Sequence, residues 1–342
     1  MTALQTIESA LTSAAFRAEI SETDFSGCAA TVIGYGHMGS QYVRALRALG
    51  VGHIRVISRS PGPLKELGTL KNVDTFSGGY EGMSAHARKD EVGVVAAPLS
   101  LLPGAVEKLV LLGFRRLLIE KPVALSSSEI DALAVDLEEK GVEAYAAYNR
   151  VVYPSVLEAR ARAGRDGGIT SCFYTFTEMI KPDWPDRFSA TELSRWGIAN
   201  SMHVISLAHR LIGMPSEWKA HRAGSLSWHP SGSVFVGSGR SEQGIPFAYH
   251  ADWGSKGRWS VEIHTSAASY CLCPLEKLFQ KTAAQGGWEP VPVKAFEPHM
   301  KAGVLEEVAA SLKSDIAPLV TLREAARLTR YAEDILGYSD HG

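Results

Sequence analysis

The sequence predicts an α/β Rossmann domain, a doubly wound parallel sheet, followed by an α+β domain with a large, mainly antiparallel open sheet. Three observations carry that expectation. Between Ala29 and Tyr148, apolar runs of strand length alternate with helix-length segments; a glycine-spaced turn joins the first strand to the first helix; and after residue 150 the texture changes to strand-like runs joined by glycine or serine turns. The expected division is a helical extension over 1–26, a dinucleotide-binding domain over 27–148, and a substrate-binding and oligomerisation domain over 149–342.

From Met1 to Glu22, Leu4, Ile7, Leu11 and Phe16 recur at roughly helical intervals, so an amphipathic helix is expected. That segment lacks the basic start and apolar centre of a signal peptide, which points to a cytoplasmic protein. "AATVIGYG" is a strand running into the glycine turn, "SQYVRALRALG" its helix, and "HIRVISRS" the second strand. "VGVVAAP", "RRLLIE" and "VEAYAAY" read as further strands. Between them lie the helices "GAVEKLVLLG", ending at Gly113, and "SSSEIDALAVDLEEKG", opened by serine caps. In the second half "GITSCFYTFTEM", "EWKAHRAGSLSW", "GSVFVGSG", "IPFAYHADWG" and "RWSVEIHTSAASYCLCPL" read as strands. One helix, "SMHVISLAHRLIG", is set among them, and Val304 to Leu336 reads as helical.

Composition excludes several partners. The 342 residues carry 35 basic against 37 acidic side chains with no block of like charge, so no positive stripe is built for nucleic acid or an anionic membrane. Apolar runs such as Val92 to Leu102 stop well short of the ~18–20 residues that span a bilayer. A small molecule is the expected partner. Cys271 and Cys273 share one face of a predicted strand without a second ligand pair, so they and Cys28 and Cys172 read as buried thiols and no metal is expected.

The first chemical motif is "VIGYGHMGSQY". Gly34, Gly36 and Gly39 have the spacing that lets a turn close tightly after a strand and brings a pyrophosphate to a helix N-terminus, with Tyr35, His37 and Met38 between them. About 20 positions on, where NAD-binding proteins place an acid, stand Ser58, Arg59 and Ser60. An acid there would repel a 2′-phosphate, whereas Arg59 can pair with it, so NADP is favoured and NAD stays open. Arg59 also reads as an ordinary solvated loop residue. Ala97, Pro98 and Glu120, at the carboxyl ends of later strands, complete the expected cofactor lining.

Lys121 follows the strand "LLIE" directly, and in a doubly wound sheet strand ends line the ligand crevice. A lysine partly buried there has its charged form disfavoured, which lowers its pKa toward the range useful for proton transfer. The alternative is a lysine at an exposed strand end. Pro122 restricts the chain after it and admits a cis peptide.

The glycine loop, "EKP" at Glu120–Pro122, "AYNRVVYP" and "RWGIANSMHVISLAHRLIG" together resemble the glucose–fructose oxidoreductase / inositol dehydrogenase / rhizopine catabolism (Gfo/Idh/MocA) family from residue 27 onward. The resemblance implies a sugar or cyclitol dehydrogenase holding substrate between the Rossmann domain and the second-domain sheet. It implies that Lys121 is the proton-transfer and substrate-binding group and that His203 assists, although His203 also reads as a core histidine of its helix. The chain departs from the family pattern at several positions. Ala199 stands where an aspartate usually precedes the histidine by four residues, with Asn200 next to it as a substrate or ring hydrogen-bonding candidate. Ala97, Pro98 and Leu99 replace threonine–proline–asparagine, Leu102 a following histidine, and Tyr42 a histidine after the glycine loop.

Tyr148, Asn149 and Arg150, after the last parallel strand, are expected to face the cleft as substrate-binding residues. Arg150 either binds an acidic sugar or pairs across the domain boundary. "EMIKPDWPDRF", with Glu178, Lys181 and Trp184, reads as a lid or a subunit contact, and Asp252 and Trp253 are weaker candidates that read rather as structural strand residues. A non-catalytic NADP-binding sensor and a reductase of a non-sugar carbonyl or linear tetrapyrrole remain as alternatives. A homodimer or homotetramer through the C-terminal sheet is expected, since an open sheet seeks a partner.

Overall fold

Every residue of Ala29–Ile33 and of Val92–Val95 is buried, as befits parallel strands covered on both faces. The computed structural model describes residues 12–293, 300–313 and 319–338, so Leu4, Ile7 and Leu11 of the expected first helix lie outside the described residues. The part of that helix that is described, α1 (Ser13–Glu22), is capped by the Thr12 side chain and buries Phe16 and Ile20.

The first domain runs β1 (Ala29–Ile33), α2 (His37–Ala48), β2 (His53–Ser58), β3 (Val73–Ser77), β4 (Val92–Val95), α3 (Leu102–Leu111), β5 (Arg116–Glu120), α4 (Ser127–Glu139) and β6 (Glu143–Ala147). Its six strands pair in parallel in the order β6-β5-β4-β1-β2-β3, the doubly wound order with its switch point between β1 and β4. Between Ser60 and Lys89 the sequence shows no strand-like run; β3 lies there as the edge strand, with only Val73 buried, which is why it carries no apolar run.

The second domain runs α5 (Pro154–Arg165), β7 (Ser171–Phe176), α6 (Trp184–Arg187), α7 (Ala190–Ser194), α8 (Met202–Ile212), β8 (Pro215–Ala223), β9 (Val234–Ser241), β10 (Pro246–Asp252), β11 (Trp259–His264), β12 (Ala268–Leu272), β13 (Leu278–Thr282) and β14 (Glu289–Val291). Eight strands form one sheet in the order β14-β13-β12-β11-β7-β10-β9-β8, antiparallel except where β10 meets β7. Alternation sorts its faces. Cys172, Tyr174 and Phe176 turn inward with Phe247 and Tyr249 toward α8, whereas Phe173 and His250 look outward.

The chain then returns through α9 (Val304–Leu312), β15 (Val320–Thr321) and α10 (Leu322–Leu336). This corrects the assignment of everything after 148 to the second domain. α9 packs on α2, β15 pairs antiparallel with β6 as a seventh strand of the Rossmann sheet, and α10 lies on α4 as well as on β8. An apolar stripe through Ala325, Leu328, Ala332 and Ile335, at three- and four-residue spacing, accounts for the seat of α10. Tyr331 on that helix shares a 2.7 Å hydrogen bond with Tyr174, so one helix ties both sheets together. Among the described residues, no helix is long and apolar enough to cross a membrane.

Candidate active site

At the carboxyl ends of β1, β2, β4 and β5 lies a cavity of about 700 Å³. Its floor is backbone. Gly34, at φ +95°, takes a conformation that side chains rarely adopt, and a Cβ there would strike the Ala96 carbonyl. At Gly39 a Cβ would run into the Gly34 carbonyl oxygen, so α2 could not seat so close behind the turn. Tyr35, Gly36, His37 and Met38 line the cavity at the start of α2, where unpaired N–H groups favour an anion. Gly39 itself is buried beneath them.

Ser58, Arg59 and Ser60 line the same cavity. Gly78 and Gly79 donate their N–H groups to the carbonyls of Arg59 and Ser58, both at 3.2 Å, and bring Tyr80 and Glu81 to the wall. Glu81 is a carboxylate on this wall that the sequence reading did not single out, because it sits in a loop with no motif. Ala97, Pro98, Glu120 and Lys121 complete the lining. A glycine cradle that side chains would fill, a helix N-terminus and polar groups on the second strand fit a dinucleotide.

Around Lys121 the two domains meet. Tyr42, fully buried on α2, donates to Glu120 Oε1 at 2.6 Å, and Glu120 Oε2 accepts the Lys121 N–H at 3.0 Å. The tyrosine found in place of a histidine thus holds the strand end on which the lysine stands. The Lys121–Pro122 peptide is cis. Lys121 Nζ donates to the Ala199 carbonyl at 3.1 Å, so the position without a carboxylate contributes its backbone instead. Gly197–Ser201 forms one wide π turn before α8, a feature common at functional sites. Burial lowers the Lys121 ammonium to about 8; nearby Glu120 opposes the shift, while Arg150 and Lys301 add to it.

Glu178 follows β7 and is 3% exposed, which removes it from a solvent lid. Its carboxylate accepts from Asn200 Nδ2 at 2.9 Å and Ser201 Oγ at 2.6 Å. Asn200 is therefore engaged with Glu178. Burial raises the Glu178 carboxyl to about 7 against the pull of these hydrogen bonds. In the rest of that loop Trp184 is buried, its ring 4.3 Å from that of Trp196, and Lys181 is exposed. Trp253 donates to the Phe176 carbonyl at 3.2 Å and Asp252 accepts from the Gly254 N–H.

Two of the expected substrate contacts are placed differently. Tyr148 is 1% exposed and turned toward Thr329 of α10, because the chain leaves β6 through a 3₁₀ turn, Asn149–Val152, that points it into the core. Asn149 is also enclosed and donates to the Ala302 carbonyl at 2.8 Å, clamping the returning C-terminal segment. Neither is among the residues that line the dinucleotide-sized cavity or the hollow beside Arg150. His203 is enclosed on α8, with its ring centroid 5.9 Å from that of Trp259. Burial, with Lys121, Arg150 and Lys301 nearby, holds its imidazole well below the usual range, and therefore neutral; its Nδ1 has no partner.

Arg150 does reach a cavity. A second hollow of about 350 Å³ lies between it and Glu178, Arg258, Trp259 and the 274–276 turn. Lys301, in the lead-in to α9, donates its N–H to Gln41 at 3.0 Å and reaches Met38 Sδ at 3.2 Å. It brings a third cation toward Glu120 from a stretch of sequence that reads only as the approach to a helix.

No family model matches the chain. Among curated proteins, myo-inositol dehydrogenase Hyg17 of Streptomyces leeuwenhoekii is 30% identical over 140 residues, which are 40% of this chain and 42% of that protein, so the match spans less than half of either. Among solved structures, UDP-N-acetylglucosamine 3-dehydrogenase GnnA of Acidithiobacillus ferrooxidans aligns with a TM-score of 0.66 at 15% identity, covering 91% of this chain and 97% of that one. An oxidoreductase of Agrobacterium radiobacter, in complex with NAD+, L-tartaric acid and magnesium, gives 0.69 at 14% over 94% and 97%. Levoglucosan dehydrogenase in complex with NADH and levoglucosan gives 0.67 at 17% over 91% and 96%. At these identities the likeness establishes a shared fold, the two-domain architecture expected from the sequence.

Proposed function

We propose that this chain, built on the fold of the Gfo/Idh/MocA oxidoreductases, is a nicotinamide-dependent dehydrogenase acting on a ring hydroxyl or keto carbon of a sugar, sugar derivative or cyclitol. The observation that carries the reading is Lys121. It lines the end of a cavity shaped for a dinucleotide, and its ammonium is lowered to about 8 where the second domain closes on it.

The bound cofactor supplies the hydride chemistry. Lys121 Nζ, once neutral, takes the proton of the substrate hydroxyl during oxidation and returns it during reduction. Glu120, fixed by Tyr42, holds the lysine backbone, and the Ala199 carbonyl aims the amine. His203, neutral and with Nδ1 unpaired, assists as a hydrogen-bonding group. The relatives' names, which span inositol, UDP-N-acetylglucosamine and levoglucosan, support a polyhydroxylated ring as substrate.

Arg59 on the wall favours NADP, because a guanidinium pairs with a 2′-phosphate. Glu81 on the same wall favours the second reading, NAD, because a carboxylate accepts from ribose hydroxyls. Phe173 and Val236, 39% and 37% exposed on the open face of the large sheet, support a homo-oligomer through that face.

Fluorescence titration with NADPH and NADH, followed by absorbance at the reduced-nicotinamide band across sugars, cyclitols and their keto forms, tests the reading. Tight cofactor binding with turnover of a polyol is expected. Binding without turnover of any of them would favour a sensor, and binding of neither dinucleotide would overturn the reading.

A further inference from the structure

The second hollow presents a guanidinium whose hydrogen-bond donors are only partly used. Arg150 Nε and Nη1 are both buried without a hydrogen-bond partner. The guanidinium lies over the Trp259 ring at 5.1 Å and near the Tyr153 ring at 6.0 Å, two faces that hold it in place without neutralising it. Arg150 and Lys301 both disfavour the charge on Lys121, and Arg150 also disfavours that on Lys301. The carboxyls in reach offset this only in part: Glu120 and Glu178 favour the charge on Lys121, and Glu120 and Glu307 that on Lys301. Burial pushes Glu120, Glu178 and Glu307 all upward, toward the neutral acid, and Glu178 is already held by Asn200 and Ser201. Glu276, on the far wall, accepts from the Tyr153 hydroxyl at 3.5 Å.

Two buried guanidinium donors without partners are costly and are seldom left so unless a ligand completes them. We propose that the substrate carries a carboxylate which Arg150 receives in this hollow, so that the substrate class is an acidic sugar or cyclitol derivative, such as a uronate or sugar acid. Nε and Nη1 each share a donor edge with Nη2, and either edge matches the two oxygens of a planar carboxylate. The volume, about 350 Å³, suits one ring with its substituents. Trp259, with its face given to Arg150 and its ring 5.9 Å from that of His203, links the hollow to the reacting end of the cleft. A carboxylate here places the ring between Arg150 and Lys121. Arg150 is thereby a specificity residue, and the inference rests on the dehydrogenase reading.

The test is calorimetric titration of the NADPH-loaded protein with D-glucuronate and D-galacturonate, their neutral counterparts D-glucose and D-galactose, and D-glucose 6-phosphate. At least one uronate is expected to bind roughly thirtyfold or more tightly than its neutral partner, the scale of losing one side of an enclosed charge pair. That preference should disappear in Arg150→Met. If Arg150 only braced the fold, Arg150→Met would melt lower than the wild type without ligand. Relief of an unpaired buried charge predicts an unchanged or higher melting temperature. Equal binding of acid and neutral sugar, a preference that survives Arg150→Met, tighter binding of the phosphate, or no binding of either uronate would each overturn the inference. All of these are readable while NADPH still binds; loss of NADPH binding would strike the dehydrogenase reading instead.

Discussion

The two sides of the cleft are built by different means. The cofactor side is mainly a backbone device, one turn of glycines whose missing Cβ atoms make room for the turn itself and for the seat of α2. The substrate side is assembled from side chains that lie far apart in the chain: Lys121 after β5, Arg150 after β6, Glu178 after β7, Trp259 on β11 and Lys301 before α9. A backbone device is written in local spacing, so it can be read from a dozen residues. A convergent site depends on the register of an eight-stranded sheet and on where the C-terminal segment returns, and neither is local.

If the two sides are separable, a change at their junction should stop the chemistry and spare the cofactor. Lys121→Met is expected to lower turnover on the order of 10²–10⁴-fold with the NADPH dissociation constant unchanged, as steady-state rates and titration would show. The reverse pattern would merge the two sides into one. Gly39→Ala tests the other side. Its methyl would meet the Gly34 carbonyl, at a cost of about 1–3 kcal/mol seen in the melting temperature, together with weaker NADPH binding. Smaller still is Arg59→Ala, which should weaken NADPH about tenfold and leave NADH as it was. Equal losses for both would move the 2′-phosphate away from Arg59.

The last effect is read in stability against pH and concerns Glu178. Its carboxyl is raised from 4.5 to about 7, so between those values the folded chain binds more protons than the unfolded one. Stability from this group therefore falls as pH rises through that window. Glu178→Gln lacks the slope, so its melting temperature should gain on the wild type from about pH 4.5 to about 7 and then run parallel. A constant offset across the range would mean that Glu178 is charged throughout, and the substrate side would then be less cationic than described.

Much of the architecture was legible because burial leaves a period. β1, β4 and β5 are near-continuous apolar runs, and the alternation in β7 and β10 announces a sheet with one covered face. β3 and β15 were not legible, the first because it is a mostly exposed edge, the second because it has two residues. Within the site, position after a strand leads to Lys121 and Arg150, which line the two hollows. It misplaced Tyr148 and Asn149, since a 3₁₀ turn after β6 swings both away. Ala199 shows the limit most clearly: its side chain reads as a loss, and its carbonyl, which no sequence displays, holds the lysine.

The claim on which all of this stands is that Lys121 is a lysine able to lose its proton near neutral pH. An NMR titration of the ε-carbon resonances of ¹³C-lysine-labelled protein, with Lys121→Met identifying the signal by its disappearance, measures that directly. A midpoint at about 8 is predicted. A midpoint near 10.5, the ordinary value for a solvated lysine, would contradict its role in proton transfer and leave the cleft as a binding site alone.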